Sequence, residues 1–485
     1  MAQRRSDRPN VVVFFTDQQR WDGSGLHGNP LDLMPNFDRI AMQGTHCANA
    51  FTNQPVCGPA RAVLQTGLYA TATGVWRNGP ALRPDAKTLA HSFNDAGYDT
   101  AYIGKWHLAD NNVVAIEQQG GYQHWLGANV LEFCSRPYDC ILYDKQGNEV
   151  KLPGYRVDAQ TDAAIRYIDA HQGNPFFLFI SYLEPHFQNQ VDDYPPPDGY
   201  REKYTGRWVP ADLAALGGST HQHLGGYWGM IKRLDEAFGR LLDALKSLGL
   251  SENTIVLFTS DHGCHFKTRN SEYKRSCHES SIRIPTAITG PGFFGGGHRR
   301  ELISLVDLPP TLLDAAGIAV PAHMQGRSVL PLVGGVATRR GPRDGAVEIQ
   351  DRGRGRRRGR GRTKQDGDVP PTGWPEEVFI QISEAQVGRC VRTHRWKYSV
   401  VAPDRNGNRE PASERYVEEF LYDLDSDPHE LDNRVGLESH RKVADVMRER
   451  LLRRMAEAGE AKPVIAPAPP KPGGQRRVEP GEELL

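Results

Sequence analysis

Val11-Val-Val-Phe-Phe15, followed at once by Thr16-Asp17-Gln18, is the stretch on which the fold reading turns. Its five apolar residues do not alternate with polar ones, the pattern of a strand buried on both faces, as in a parallel sheet. Three further segments repeat it. Thr100-Ala-Tyr-Ile103 runs into Gly104-Lys105-Trp106-His107, and Phe176-Phe-Leu-Phe-Ile180 leads to Glu184-Pro185-His186. Ile255-Val-Leu-Phe-Thr259 runs into Ser260-Asp261-His262-Gly263. Helical spacing fills the gaps over Lys87–Ala96, Asp158–Ala170 and Tyr227–Leu248, with Gly97 and Gly249 as stops. Strands alternating with helices predict an α/β sandwich, with ligands bound beyond the carboxyl ends of the strands. That rule gathers Asp17, Lys105, His107, His186, Asp261 and His262 into one site.

The chain has 485 residues, with Lys plus Arg and Asp plus Glu at 59 each, so net charge names no partner. Seven cysteines without a C-x-x-C pair argue against a disulfide framework or structural zinc. No apolar run reaches the roughly 20 residues of a membrane helix. Met1 to Asn10 is polar, which reads as a cytoplasmic protein.

Four regions are expected: a catalytic unit over 1–337, an Arg/Gly-rich disordered insertion over 338–374, a C-terminal unit over 375–458 and a mobile tail over 459–485. The insertion contains Arg352 to Arg362, reading RGRGRRRGRGR, which cannot pack a core. Such a tract suits nucleic acid or another polyanion, although a solvated loop is the simpler reading. The C-terminal unit carries four short antiparallel strands, near Val378–Ile382, Arg389–Arg392, Trp396–Val400 and Glu419–Asp423, and a helix over Ser439–Glu457.

Asp17, Asp261 and His262, each just beyond a buried strand, suit a divalent cation. Oxygen-rich ligation favours calcium, magnesium or manganese over zinc. Cys57 lies in Gln54-Pro-Val-Cys57-Gly-Pro-Ala-Arg61-Ala-Val-Leu-Gln-Thr-Gly67. Pro59 fits a first helical turn and Gly67 a helix end, so residue 57 stands at a helix N-terminus, which favours anions. Arg61, one turn along, is expected to reach back towards it. Spacing alone leaves a reactive thiolate and a buried cysteine both open.

Cys57-x-Pro59-x-Arg61 followed by Thr66-Gly67 resembles the signature of the formylglycine-dependent sulfatases of the alkaline phosphatase superfamily. The resemblance runs from about Pro9 to Gly317, through Met34-Pro-Asn-Phe-Asp-Arg39, Tyr102-Ile-Gly-Lys105-Trp-His107 and Glu279-Ser-Ser-Ile-Arg-Ile-Pro285. It resumes in Arg395-Trp-Lys-Tyr398 and Leu421-Tyr-Asp-Leu-Asp-Ser-Asp-Pro428. It implies an alkaline-phosphatase-like sandwich, with a large mostly parallel sheet and a small C-terminal antiparallel sheet carrying a helix. It also implies hydrolysis of sulfate monoesters, from small molecules or saccharides, through a covalent sulfoenzyme. The nucleophile is a formylglycine that a separate formylglycine-generating enzyme makes from Cys57. Carried over by position, Asp17, Gln18, Asp261 and His262 hold one divalent metal ion, calcium first, together with residue 57. Arg61 orients the hydrated aldehyde and Lys105 binds a sulfate oxygen. His107 is the base, and His186 and Lys274 face the leaving group.

Gln18 replaces a frequent Asp and His262 a frequent Asn, a combination like that of choline sulfatases and phosphonate monoester hydrolases. A phosphonate monoester or phosphodiester hydrolase with the same formylglycine is therefore the alternative reading. His278 and Gln188 also depart from the usual residues and are expected in the leaving-group pocket. Variable loops near Asn111–Tyr155 and Pro195–His223 are expected to select the substrate.

Overall fold

The computed structural model describes residues 8–333 and 373–472. Ten strands form one sheet: β1 (Asn10–Thr16), β2 (Thr45–Phe51), β3 (Asp99–Lys105), β4 (His124–Ala128), β5 (Cys140–Asp144), β6 (Glu149–Leu152), β7 (Phe176–Ser181), β8 (Thr254–Ser260), β9 (Ala287–Thr289) and β10 (Gly297–Ser304). Their order is β10-β2-β9-β8-β1-β7-β3-β4-β5-β6. The centre, β8-β1-β7-β3-β4, is parallel throughout, and antiparallel pairs lie towards the edges. The mostly parallel sheet is as expected.

Absence of alternation has a direct cause. Val11, Val13 and Phe15 enter the apolar cluster on one face, and Val12 and Phe14 enter the cluster on the other. Helix α1 (Cys57–Thr66) covers the first face, and α2 (Arg156–Ala170) and α3 (Thr220–Ser247) cover the second. The expected helix from Lys87 begins instead at Leu89, where Thr88 and His91 form a capping box. Helix α3 starts seven residues before the expected Tyr227, running through Gly225 and Gly226. These glycines mark close approach: a Cβ at Gly226 would stand 2.2 Å from Tyr194 O, and one at Gly225 2.3 Å from Thr205 Oγ1.

The second sheet comprises β11 (Glu377–Ile382), β12 (Gly388–Thr393), β13 (Trp396–Val401), β14 (Arg415–Asp423) and β15 (Val464–Ala466), in that order. Helix α4 (Arg441–Glu457) packs on it. The four expected strands pair antiparallel, as expected, and a fifth that the sequence does not announce, β15, joins β14 in parallel. Of the expected mobile tail, residues 459–472 lie among the described residues, and there Glu460 pairs with Arg389 at 2.8 Å and Ala468 N donates to Glu418 Oε2 at 2.9 Å. The buried Arg389 guanidinium requires that carboxylate, a demand invisible in a Pro-rich stretch. Of the Arg/Gly-rich insertion, only Gly373 and Trp374 lie among the described residues. No described helix is long and apolar enough to cross a membrane.

Candidate active site and metal centre

The expected residues meet where the parallel strands end. Asp17 follows β1, Lys105 ends β3, Asp261 and His262 follow β8, and His186 lies beyond β7. Cys57 is the first residue of α1, where amides without intrahelical partners point outward. One ligand atom each from Asp17, Cys57, Asp261 and His262 lies within 4.8 Å of the others, and all four residues are buried. Cys57 Sγ is 3.5 Å from Asp17 Oδ1 and 3.4 Å from His262 Nε2. Lys274 Nζ stands 2.9 Å from the same sulfur.

Positive charge is threaded among these groups. Asp17 Oδ2 accepts from Arg61 Nη2 at 2.8 Å and Lys105 Nζ at 2.9 Å. Burial opposes ionisation of Asp17, yet Lys105, His186 and Arg61 hold its carboxyl well below the usual range. Burial also opposes the Cys57 thiolate. Lys105, Lys274 and hydrogen bonds from His107 and His186 overcome it and lower the thiol well below its ordinary value. Asp261 goes the other way: burial first, then Asp17 and Cys57, push it well above the carboxylate range. Burial and Lys274 lower His262 to about 4, so its ring is neutral at pH 7. Its Nδ1 lies 2.9 Å from Gly263 O, which assigns the proton to Nδ1 and leaves Nε2 as a lone-pair donor.

These side chains fit a divalent cation. Asp261 Oδ2, 3.6 Å from Arg61 Nη2, and Gln18 Oε1 are buried without a hydrogen-bond partner, and burial, then Asp17 and Cys57, oppose ionisation of Asp261. A cation among two carboxylates, an amide oxygen and an imidazole relieves both conditions. Gln18 Nε2 is anchored on Tyr194 Oη at 2.9 Å, and its main-chain N donates to Asp261 Oδ1 at 2.9 Å.

The sulfatase family profile matches residues 9–318. The chain belongs to the sulfatase family. It is 33% identical to the ulvan-active sulfatase of Formosa agariphila over 340 residues, 67% of this chain and 65% of that protein. It is 26% identical to an N-acetylglucosamine-6-O-sulfatase of Bacteroides thetaiotaomicron, covering 67% and 71% of the two chains. A solved structure with its substrate D-glucosamine-2-N,6-O-disulfate has the same fold, with a TM-score of 0.73 and 22% identity over 94% of this chain and 99% of that one.

Within this sulfatase-family site, several side chains contact partners other than those expected. Arg61 reaches the carboxylates beside residue 57, Asp17 at 2.8 Å and Asp261 at 3.6 Å. Its fork also binds Lys105 O at 2.8 Å and Ser181 Oγ at 2.6 Å. Lys105 Nζ is shared between Asp17 and Glu132, each at 2.9 Å. His278 lies outside the pocket, bound to Ser276 Oγ and Tyr422 Oη at the seam with the small sheet. Gln188 is a brace: its Nε2 donates to Glu132 O at 2.7 Å and its Oε1 accepts from Arg156 Nη1 at 3.3 Å.

Sequence reasoning missed Glu132, Ser181 and Asn129. Asn129 clamps the segment after His107, exchanging side-chain hydrogen bonds with Ala109 N and O at 3.0 and 2.6 Å. Glu132 lies in a loop assigned only to substrate selection, and an isolated Glu there carries no signal that a buried Lys lies opposite.

Proposed function

We propose that the protein hydrolyses sulfate monoesters at this site, using a formylglycine made from Cys57 by a separate oxidising enzyme and one divalent cation, calcium first. The convergence of Asp17, Cys57, Asp261 and His262 within 4.8 Å at a helix N-terminus, with Lys274 Nζ 2.9 Å from Sγ, carries the reading. The aldehyde hydrate would supply a nucleophilic oxygen, and the cation Lewis acidity toward the sulfuryl group. Asp17, Gln18, Asp261 and His262 would hold that cation.

This chain's own residues supply the remaining chemistry. Arg61 and Lys105 keep Asp17 ionised and fixed. Lys105 and Lys274 offset charge that builds on sulfuryl oxygens, the kind of pre-placed electrostatics that contributes most in such sites. His186 Nδ1 lies 2.6 Å from Phe187 O. That contact leaves Nε2 to hold or release a proton at the leaving oxygen, while His107 takes one on the side of residue 57. A sulfated saccharide is the substrate class, by analogy with the relatives' named substrates.

Mass spectrometry of the peptide containing residue 57 tests the mechanism: an active preparation should carry 3-oxoalanine, and unmodified cysteine alone would sink it. The Gln18 and His262 pair favours a second reading, a phosphonate monoester hydrolase. Aryl sulfate turnover should exceed aryl phosphonate monoester turnover; the reverse order selects the second reading.

A further inference from the structure

Two non-glycine residues at the rim of the site have left-handed backbone, Arg275 (φ 72°) and Glu384 (φ 64°), and they face each other across a 2.5 Å ion pair. Such conformations are costly and persist where surrounding contacts enforce them, often beside functional groups. Arg275 follows Lys274, whose Nζ touches Cys57 Sγ. Glu384 belongs to the turn after β11, outside the region matched by the family profile.

The same carboxylate reaches the other side of residue 57. Glu384 Oε1 accepts from Asn78 N at 2.6 Å, and Asn78 Oδ1 accepts from Gly58 N at 2.9 Å. Gly58 N is one of the amides that the start of α1 leaves without an intrahelical acceptor. Around this link the β11 turn is stitched to the loop before Cys57. Gln381 N donates to Asn53 O at 2.7 Å, and Gln54 Nε2 donates to Ser383 Oγ at 2.6 Å. The Glu384 side chain is only 7% exposed, so both its oxygens are committed to these two partners rather than to solvent.

We propose that Glu384 is a positioning residue that sets the N-terminus of α1 and the Lys274 loop relative to each other, so that the small sheet completes the active site. Its kinetic consequence rests on the sulfatase reading; its structural consequence does not.

Hydrogen exchange and steady-state kinetics of the full-length protein test it together. In Glu384→Ala, amide exchange should accelerate about tenfold in peptides spanning residues 52–61 and 272–278, and stay unchanged in β14 and β15. On an aryl sulfate, kcat should fall about 10- to 100-fold, as for sub-ångström to ångström misplacement of reacting groups, with KM moving far less. Glu384→Gln keeps an acceptor for Asn78 N and should recover part of the loss. Arg275→Met should reproduce it on the Lys274 side alone. Exchange at wild-type rates in both peptides overturns the proposal, as does uniform acceleration across the chain. Should Glu384→Ala not melt cooperatively, Glu384→Gln and Arg275→Met carry the same comparison. A wild-type protein without sulfatase activity defeats the proposed function, and exchange still decides on Glu384.

Discussion

At the carboxyl ends of the large sheet, charged groups are delivered by backbone. Asp17, Lys105, Ser181 and Asp261 each end or follow a parallel strand, so sheet register sets their separation. Along the seam with the small sheet, the strands deliver only the cations, the register partners Arg392 and Lys397, and the carboxylates Glu279 and Glu430 come from outside its strands. Lys397 Nζ, fully buried, lies 2.9 Å from Glu279 Oε1 and 2.5 Å from Glu430 Oε1, and Arg392 adds a 3.2 Å contact to Glu279. The first arrangement leaves Asp261 Oδ2 and Gln18 Oε1 open to a ligand. The second is closed, every charge answered within the protein. An open buried cluster marks chemistry, and a closed one marks assembly.

The largest expected effect comes from breaking the open cluster. Asp17→Asn removes the carboxylate shared by Arg61 and Lys105 and should cut kcat/KM roughly 10²- to 10³-fold, with divalent metal content by elemental analysis falling in parallel. Full activity would remove Asp17 from the site. In the closed cluster, Lys397→Met leaves Glu279 and Glu430 buried without their cation and should destabilise the fold by about 3–5 kcal/mol in denaturant titrations. A smaller loss would mean that water answers the carboxylates.

Acid should act through the loop joining the two regions. Burial lowers His265 to about 3, against a helping hydrogen bond from its Nε2 to Lys274 O at 3.1 Å. Its folded value lies below its unfolded value of about 6.5, so the unfolded chain binds the extra proton between those limits. The contribution is complete above pH 6.5 and declines as pH falls, by about 2 kcal/mol at pH 5. The slope of stability against pH should flatten in His265→Gln; an unchanged slope discards this source. The smallest effect belongs to Arg395→Ala. Its side chain is 55% exposed in a pair with Asp423, and the melting temperature should barely move.

The same contrast explains what could be read from the chain. Val11 to Asp17 and Ile255 to His262 each carry a strand and a candidate ligand within one short segment, so β1, β8 and the candidate site residues at their ends are legible together. Cys57 was placed at a helix start by Pro59 and Gly67. The structure agrees with that placement, while the resemblance alone pointed to formylglycine. Glu132, Asn78 and Glu384 were not legible, because each acts on a partner at least 20 residues away in sequence (Gly58 to Asn78 is the nearest such link). The apolar spacing that predicts α3 begins at Tyr227, whereas the helix starts at Thr220 and runs through Gly225 and Gly226, close-packing positions against Thr205 and Tyr194.

The short strand β15 covers three residues of β14, pairing with Arg415, Tyr416 and Val417. Without it, that margin of the small sheet would present unsatisfied amides and carbonyls, a template on which a second chain can add a strand. A protein trimmed after α4 would retain its catalytic strand ends and acquire a tendency to self-associate, visible as concentration-dependent light scattering. Three residues of β15 thus occupy an edge that would otherwise be free to recruit a strand.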